Sequence, residues 1–95
     1  MRERDIEKRL GSRIRQMGGL YYKFTSPGNI GVPDRLIVMP GGVIWFVELK
    51  ADGGRVAPVQ EYQIKLLQDR GANACVVRGA AGVEEFLRKL QEGGA

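Results

Sequence analysis

The chain has 95 residues, 15 Lys or Arg against 11 Asp or Glu, and a formal net charge of +4; 43% of it is apolar, enough for one small hydrophobic core. It contains no histidine and one cysteine, Cys75, which removes Ser-His-Asp and Cys-His catalysis, His-ligated zinc, a multi-cysteine zinc site and any intramolecular disulfide. The modest basic excess suits a polyanionic partner, no apolar run approaches the ~18 residues of a membrane span, and the opening MRERDIEKRL is too charged for a secretory signal. The expectation is a single domain over residues 1–95, cytoplasmic and with no membrane partner.

Residues 2–17 carry Ile6, Leu10, Ile14 and Met17 at intervals of three and four, the spacing of an amphipathic helix, and Gly18-Gly19 ends it. Glu3 and Glu7 flank that stripe, where each is either a solvated helix glutamate or, with the stripe packed on a sheet, a carboxylate at the edge of a site. Leu20–Thr25 reads as a short strand, with Tyr21, Lys23 and Thr25 on one face and Tyr22 and Phe24 on the other. Ser26-Pro27-Gly28-Asn29 is either a plain turn or a loop whose exposed N–H groups suit a phosphate. Arg35–Met39 and Val43–Leu49 are rich in β-branched and aromatic residues, and Pro40-Gly41-Gly42 between them predicts a hairpin. Ala51–Val56 is a glycine-rich exposed loop carrying Arg55. Pro58 opens a helix that runs to about Arg70, with Gln60 in its first turn and Gly71 closing it. Ala74–Val77 is a short buried strand in which Cys75 serves as a small apolar residue. Arg78-Gly79-Ala80 reads as a turn, Val83–Leu90 as the last helix, and Gln91–Ala95 as a frayed end. The order is α-β-β-β-α-β-α, an α/β fold with a mixed sheet flanked by helices.

A turn centred on Gly41 sets Leu36 opposite Phe46, Val38 opposite Ile44 and Asp34 opposite Glu48, with all six side chains on one face. Pro33 cannot donate to a ladder, so Asp34 stands at the strand mouth, within reach of a ligand. Directly opposed residues have Cβ atoms about 4.5–5.5 Å apart, where two carboxylates repel unless a cation lies between them. Lys50 follows Glu48 on the same face. Two carboxylates and an ammonium converging on one spot are the parts of a Mg²⁺-assisted phosphodiester hydrolysis site. The alternative is a structural ion pair between Asp34 and Lys50.

Gly31-Val32-Pro33-Asp34, then Glu48-Leu49-Lys50, then Gln60 in the following helix resembles the VRR-NUC family of the PD-(D/E)xK nuclease superfamily. The Ser26-Pro27-Gly28 loop and the Gly18-Gly19 pair resemble its stand-alone form, and the likeness runs from about Glu3 to Leu90. The resemblance implies a restriction-endonuclease-like core and DNA cleavage dependent on Mg²⁺ or Mn²⁺. By similarity to Hjc-like Holliday-junction resolvases, it further implies a homodimer acting on branched DNA. Those resolvases carry a helix glutamate followed by apolar residues three and seven later and a glycine eleven later, a spacing matched by Glu7 with Leu10, Ile14 and Gly18; Glu3 stands in reserve. On this reading Asp34, Glu48 and the Leu49 carbonyl hold the ion. Lys50 orients or deprotonates the attacking water or offsets charge on the phosphorane, and Gln60 orients the water or Lys50. Glu7 accepts a proton or helps to place a second ion, and Lys23, Ser26, Arg35 and Arg55 contact phosphates. The rivals are a flap, nicking or restriction-type nuclease on the same core and a catalytically silent nucleic-acid-binding module.

Overall fold

The central hairpin forms where the sequence places it. In the computed structural model, which describes residues 1–93, Gly41 and Gly42 turn the chain at φ of 90° and 81°, a region that side chains with a Cβ avoid. The Gly42 N–H donates to the Met39 carbonyl at 3.0 Å. The turn fixes the register of β2 (Arg35–Met39) against β3 (Val43–Lys50), with Leu36 opposite Phe46 and Val38 opposite Ile44. On one side β1 (Leu20–Lys23) pairs antiparallel with β2; on the other, β4 (Asn73–Arg78) pairs parallel with β3. The four strands therefore lie in chain order, β1-β2-β3-β4.

Three helices complete the fold: α1 (Glu3–Gln16), α2 (Pro58–Asp69) and α3 (Gly79–Gln91). The Arg2 N–H at the head of α1 donates to the Asp5 carboxylate at 3.2 Å, a capping contact from the third helical residue, while the Arg2 guanidinium, a donor only, cannot accept from the helix N–H groups. Ile6, Leu10 and Ile14 are fully buried and pack with Ile37, Val47 and Leu49 of the sheet and with Val83, Phe86 and Leu87 of α3. Trp45 meets Phe86 edge to face at 5.2 Å, and the Lys89 ammonium lies over the indole. This α1–α3 face takes the odd-numbered residues of β2 and β3, and it is closed. Cys75 lies on the same side, where burial pushes its thiol up to about 11 and keeps it protonated, as a core residue.

The opposite face is covered only in part. Helix α2 serves as the crossover between the parallel strands β3 and β4, and it covers β4 and the end of β3 that carries Glu48. Over β1, β2 and the start of β3 no helix among the described residues lies above the sheet: Leu20 and Tyr22 are each 50% exposed and Ile44 is 44% exposed, while nearer the site Phe24 packs edge to face on Phe46 at 5.6 Å.

Several boundaries differ from the sequence reading: β1 stops at Lys23 short of Thr25, β3 runs on to Lys50, and β4 spans Asn73–Arg78. Helix α3 begins directly after β4 at Gly79, and Arg78-Gly79-Ala80 is no separate turn. Ala80 and Ala81 favour helix strongly, and Asp52 lies so close over Gly79 that a Cβ there would stand 1.7 Å from its Oδ1. Gln91 is helical where fraying was expected, and residues 94 and 95 lie outside the described part.

The 24–34 segment is held from α2. The Gln63 side chain donates to the Ile30 carbonyl at 3.3 Å, and Gly31 sits at a φ of 88° against the α2 backbone. A Cβ on Gly31 would approach the Val59 carbonyl oxygen to 2.8 Å. Gly31→Ala is therefore expected to cost about 2 kcal/mol, from the left-handed backbone and the clash together, read as a shift in the urea midpoint. An unchanged midpoint would show that this contact does not fix the loop.

Candidate active site

Asp34 and Glu48 come together at the open end of the hairpin. Asp34 follows the buried Pro33 just ahead of β2, and its carbonyl still accepts from the Phe24 N–H at 2.9 Å, which extends the β1–β2 pairing to the site. Its Oδ1 accepts from the Leu49 N–H at 3.4 Å, which ties the carboxylate to β3. Glu48 lies beside it, only 5% exposed. The Gln60 Nε2 donates to Glu48 Oε2 at 3.3 Å, and the Lys50 ammonium stands 3.7 Å from the same oxygen. Gln60 is held for this by its own helix. As the third residue of α2, its Oε1 accepts from the Ala57 N–H at 2.9 Å, the contact that Ala57 cannot make in return.

The electrostatics are those of a carboxylate pair short of positive charge. Burial, and then the neighbouring Asp34, push Glu48 up to about 7, only partly opposed by Lys50. The charge of Glu3, exposed at the start of α1, pushes the same way with a smaller effect. Lys50 pairs with Glu48, and Asp34 pairs with Arg35 at 3.3 Å, so the Asp34–Lys50 ion pair considered from sequence does not form.

A divalent ion fits this donor set. Among the described residues no group of three or more His, Cys, Asp or Glu converges. Two carboxylates and a nearby backbone suit Mg²⁺ or Mn²⁺, which keep waters and take phosphate oxygens, and do not suit a closed zinc site. A cation placed between Asp34 and Glu48 removes the repulsion that raises Glu48.

The remaining sequence candidates divide. Arg35 is not free to meet a phosphate: its side chain is 6% exposed, with Nη2 2.6 Å from Glu7 Oε2 and Nη1 bonded to residue 34. Odd-numbered positions of β2 face the core, so a guanidinium there must find its partners inside. Glu7 is accordingly engaged with Arg35, while Glu3 is the α1 carboxylate whose charge reaches Glu48. The Ser26 hydroxyl accepts from the Asn29 side chain at 2.9 Å and its carbonyl from the Asn29 N–H, so the loop spends part of its polar capacity on itself. Lys23 and Arg55 are exposed and form no ion pair among the described residues. Three cations were missed: Arg4, Lys8 and Arg15 line a cleft with Glu7 and Tyr21 between α1 and β1, and none of them is ion-paired among the described residues. The Arg15 guanidinium lies 5.7 Å above the Tyr21 ring. Their spacing along one side of α1 was the available signal.

Comparison with known proteins shows the family and the fold. The sequence matches the VRR-NUC domain over residues 4–81, which takes in Asp34, Glu48, Lys50 and Gln60. The chain belongs to the VRR-NUC family. A solved structure described as a VRR_NUC domain superposes with a TM-score of 0.85 at 34% identity, covering 90% of this chain and 94% of that one. A second, described as a VRR_NUC domain protein, superposes at 0.74 with 16% identity over 99% of this chain and 91% of its own, and shows the shared fold alone. "Putative nuclease p44" of Acyrthosiphon pisum secondary endosymbiont phage 1 is 55% identical over 60 residues, which are 63% of this VRR-NUC chain and 64% of that protein. The aligned stretch thus spans just under two thirds of that relative.

Proposed function

We propose that this VRR-NUC chain is a divalent-metal-dependent DNA endonuclease that hydrolyses phosphodiesters in branched DNA, as a homodimeric Holliday-junction resolvase using Mg²⁺ or Mn²⁺. The observation that carries the proposal is the convergence of Asp34 and Glu48, from facing strand ends, beside the Lys50 ammonium. Family membership and the name of the phage relative support it.

Asp34, Glu48 and the Leu49 carbonyl would hold the ion. When bound, it polarises the scissile phosphate and makes a water a stronger nucleophile near neutral pH. Lys50 lies where it orients that water and offsets negative charge developing on the phosphorane. Gln60 fixes the Glu48 carboxylate through Nε2, so that the other Glu48 oxygen is left to the site. Arg4, Lys8, Arg15, Lys23 and Arg55 supply the exposed positive charge that tracks the DNA backbone beyond the cut.

The homodimer is supported by the uncovered sheet face. Leu20, Tyr22, Val38 and Ile44 share it with Leu36 and Phe46, and none of the six is charged. A neutral apolar face can meet its own copy about a two-fold axis without repulsion, and a patch of this kind on a small protein marks an association surface. Paired cuts across a junction need two sites, and one chain carries one.

The deciding experiment is a panel of four-way junction, flap, duplex and single-stranded DNA, assayed with Mg²⁺, with Mn²⁺ and with EDTA. Cleavage with either ion, none in EDTA, and the junction cut fastest are the expected results. Preference for flap or linear duplex would move the chain to the flap or restriction-type reading. Salt-dependent binding with no product under any condition would make it a silent binding module.

A further inference from the structure

Arg35 is the one buried guanidinium of the described residues, and its contacts divide in a way the proposed chemistry does not explain. Nη1 donates to the Asp34 backbone carbonyl at 2.9 Å and stands 3.3 Å from Asp34 Oδ2. Nη2 reaches across to α1 and meets Glu7 Oε2 at 2.6 Å. Nε is buried without a partner, as is the nearby Tyr21 hydroxyl. One planar group thus grips the main chain and one carboxylate oxygen of residue 34 and is anchored from behind by the helix. Asp34 Oδ1 stays on the Glu48 side, where it accepts from the Leu49 N–H.

We infer that Arg35 is a positioning residue that sets the Asp34 carboxylate before any ion arrives, and that Glu7 acts on the site only through Arg35. The inference rests on the endonuclease reading for its consequence in catalysis and on the geometry alone for the clip itself. A buried guanidinium draws on whatever carboxylates it can reach. With Glu7 present, its charge is shared between α1 and Asp34, and Asp34 keeps Oδ1 on the Glu48 side, clear of the guanidinium. With Glu7 neutralised, Asp34 is the one charged carboxylate left against Arg35, beside the neutral Tyr21 hydroxyl, and the guanidinium pulls it away from Glu48. With Arg35 removed, Asp34 loses the contacts that fix its backbone and one oxygen, and Glu7 and Asp34 face each other without the charge between them. A ligand held within about half an ångström of its working position depends on such supporting contacts. Glu7 Oε2 is committed to Arg35, which leaves only Oε1 for any other role at the site.

The test is a double-mutant cycle with two readouts. Arg35→Met, Arg35→Lys, Glu7→Gln and the Glu7→Gln/Arg35→Met pair are made in the full chain. Mn²⁺ affinity is measured by calorimetry without DNA, and the Asp34 carboxyl carbon resonance is followed in EDTA. Arg35→Met is expected to weaken Mn²⁺ binding by about 10–100-fold, the usual scale for losing a contact behind a metal ligand, and to move the Asp34 resonance. Arg35→Lys recovers part of both. Glu7→Gln has a smaller effect on each, and that effect disappears when Met already stands at position 35. Full additivity of Glu7→Gln on Arg35→Met would overturn the inference and give Glu7 a direct role. So would an Arg35→Met protein whose Asp34 resonance and Mn²⁺ affinity are those of the parent chain. If Arg35→Met does not fold, the Glu7→Gln and Arg35→Lys resonances decide: an unmoved Asp34 in both overturns the clip. A parent chain that takes up no Mn²⁺ and cuts no DNA sinks the endonuclease reading, while the resonance in EDTA still reports on the clip.

Discussion

Glu48→Gln is expected to abolish cleavage and, in the same preparation, to stabilise the metal-free protein above neutral pH. The loss follows from removing one of the two carboxylates proposed to hold the ion. Asp34→Asn and Lys50→Ala should behave alike, each slowing cleavage by about three orders of magnitude or more. The gain follows from burial. Desolvation and Asp34 hold Glu48 at about 7, above the ordinary 4.5 that it keeps when unfolded. Between those values the folded chain binds the extra proton, so stability falls as pH rises through that window, and the full penalty stands above it. A neutral glutamine of the same shape carries no such penalty. After allowance for Lys50, which loses its partner, the gain at pH 8.5 is about 2 kcal/mol. Melts in EDTA at pH 5 and pH 8.5 check it: the parent chain should lose stability between them and the variant should lose much less. Equal slopes would mean that Glu48 is not held in the environment described, and the carboxylate pair would no longer argue for a cation. Divalent ion added at pH 8.5 should restore the parent chain and leave the glutamine variant nearly unmoved.

The meeting of Asp34 and Glu48 was readable from the sequence because the hairpin is over-determined. Two glycines at the turn, alternating apolar arms and Pro33 at the mouth leave one register, and that register places Asp34 by Glu48 before any coordinate is known. Gln60 was legible for a similar reason, since it lies in the first turn of a helix that begins with proline and follows the Glu48 strand. Arg35 was not. Its charge suggested solvent, whereas its odd-numbered place beside Ile37 and Met39 put it inside, and periodicity is the stronger constraint because a one-residue slip would invert the whole strand. Once Arg35 is inside, Glu7 answers it, so the helix glutamate chosen by spacing is an anchor, and Glu3 is the α1 carboxylate whose charge reaches Glu48. The cations Arg4, Lys8 and Arg15 went unread because charge on a helix surface is ordinary. Only the fold shows that their side of α1 opens on a cleft beside Tyr21. The bare sheet face also escaped notice, because alternation marks which residues share a face and is silent on what covers it.

The bare face yields the second large effect. Ile44→Asp should turn the proposed dimer into a monomer while leaving the fold and the site in place. Ile44 is 44% exposed and opposes Val38 in the ladder, so a carboxylate there costs the isolated chain little. Across a two-fold interface the same substitution counts twice, once from each copy, and each copy would bury an unpaired charge in an apolar patch. At about 2 kcal/mol per copy, the dissociation constant rises by about three orders of magnitude. Sedimentation at micromolar concentration should find the parent chain as a dimer and the variant as a monomer. The catalytic consequence separates the two halves of the proposed function. A monomer retains Asp34, Glu48 and Lys50, so nicking of flaps and duplex should persist, but a four-way junction should be cut on one strand per encounter instead of two. If the parent chain itself sediments as a monomer, the apolar face belongs to a different partner and paired resolution is lost as a function of this chain. The chemistry at Asp34 and Glu48 would survive that result, since nothing in its geometry draws on a second copy.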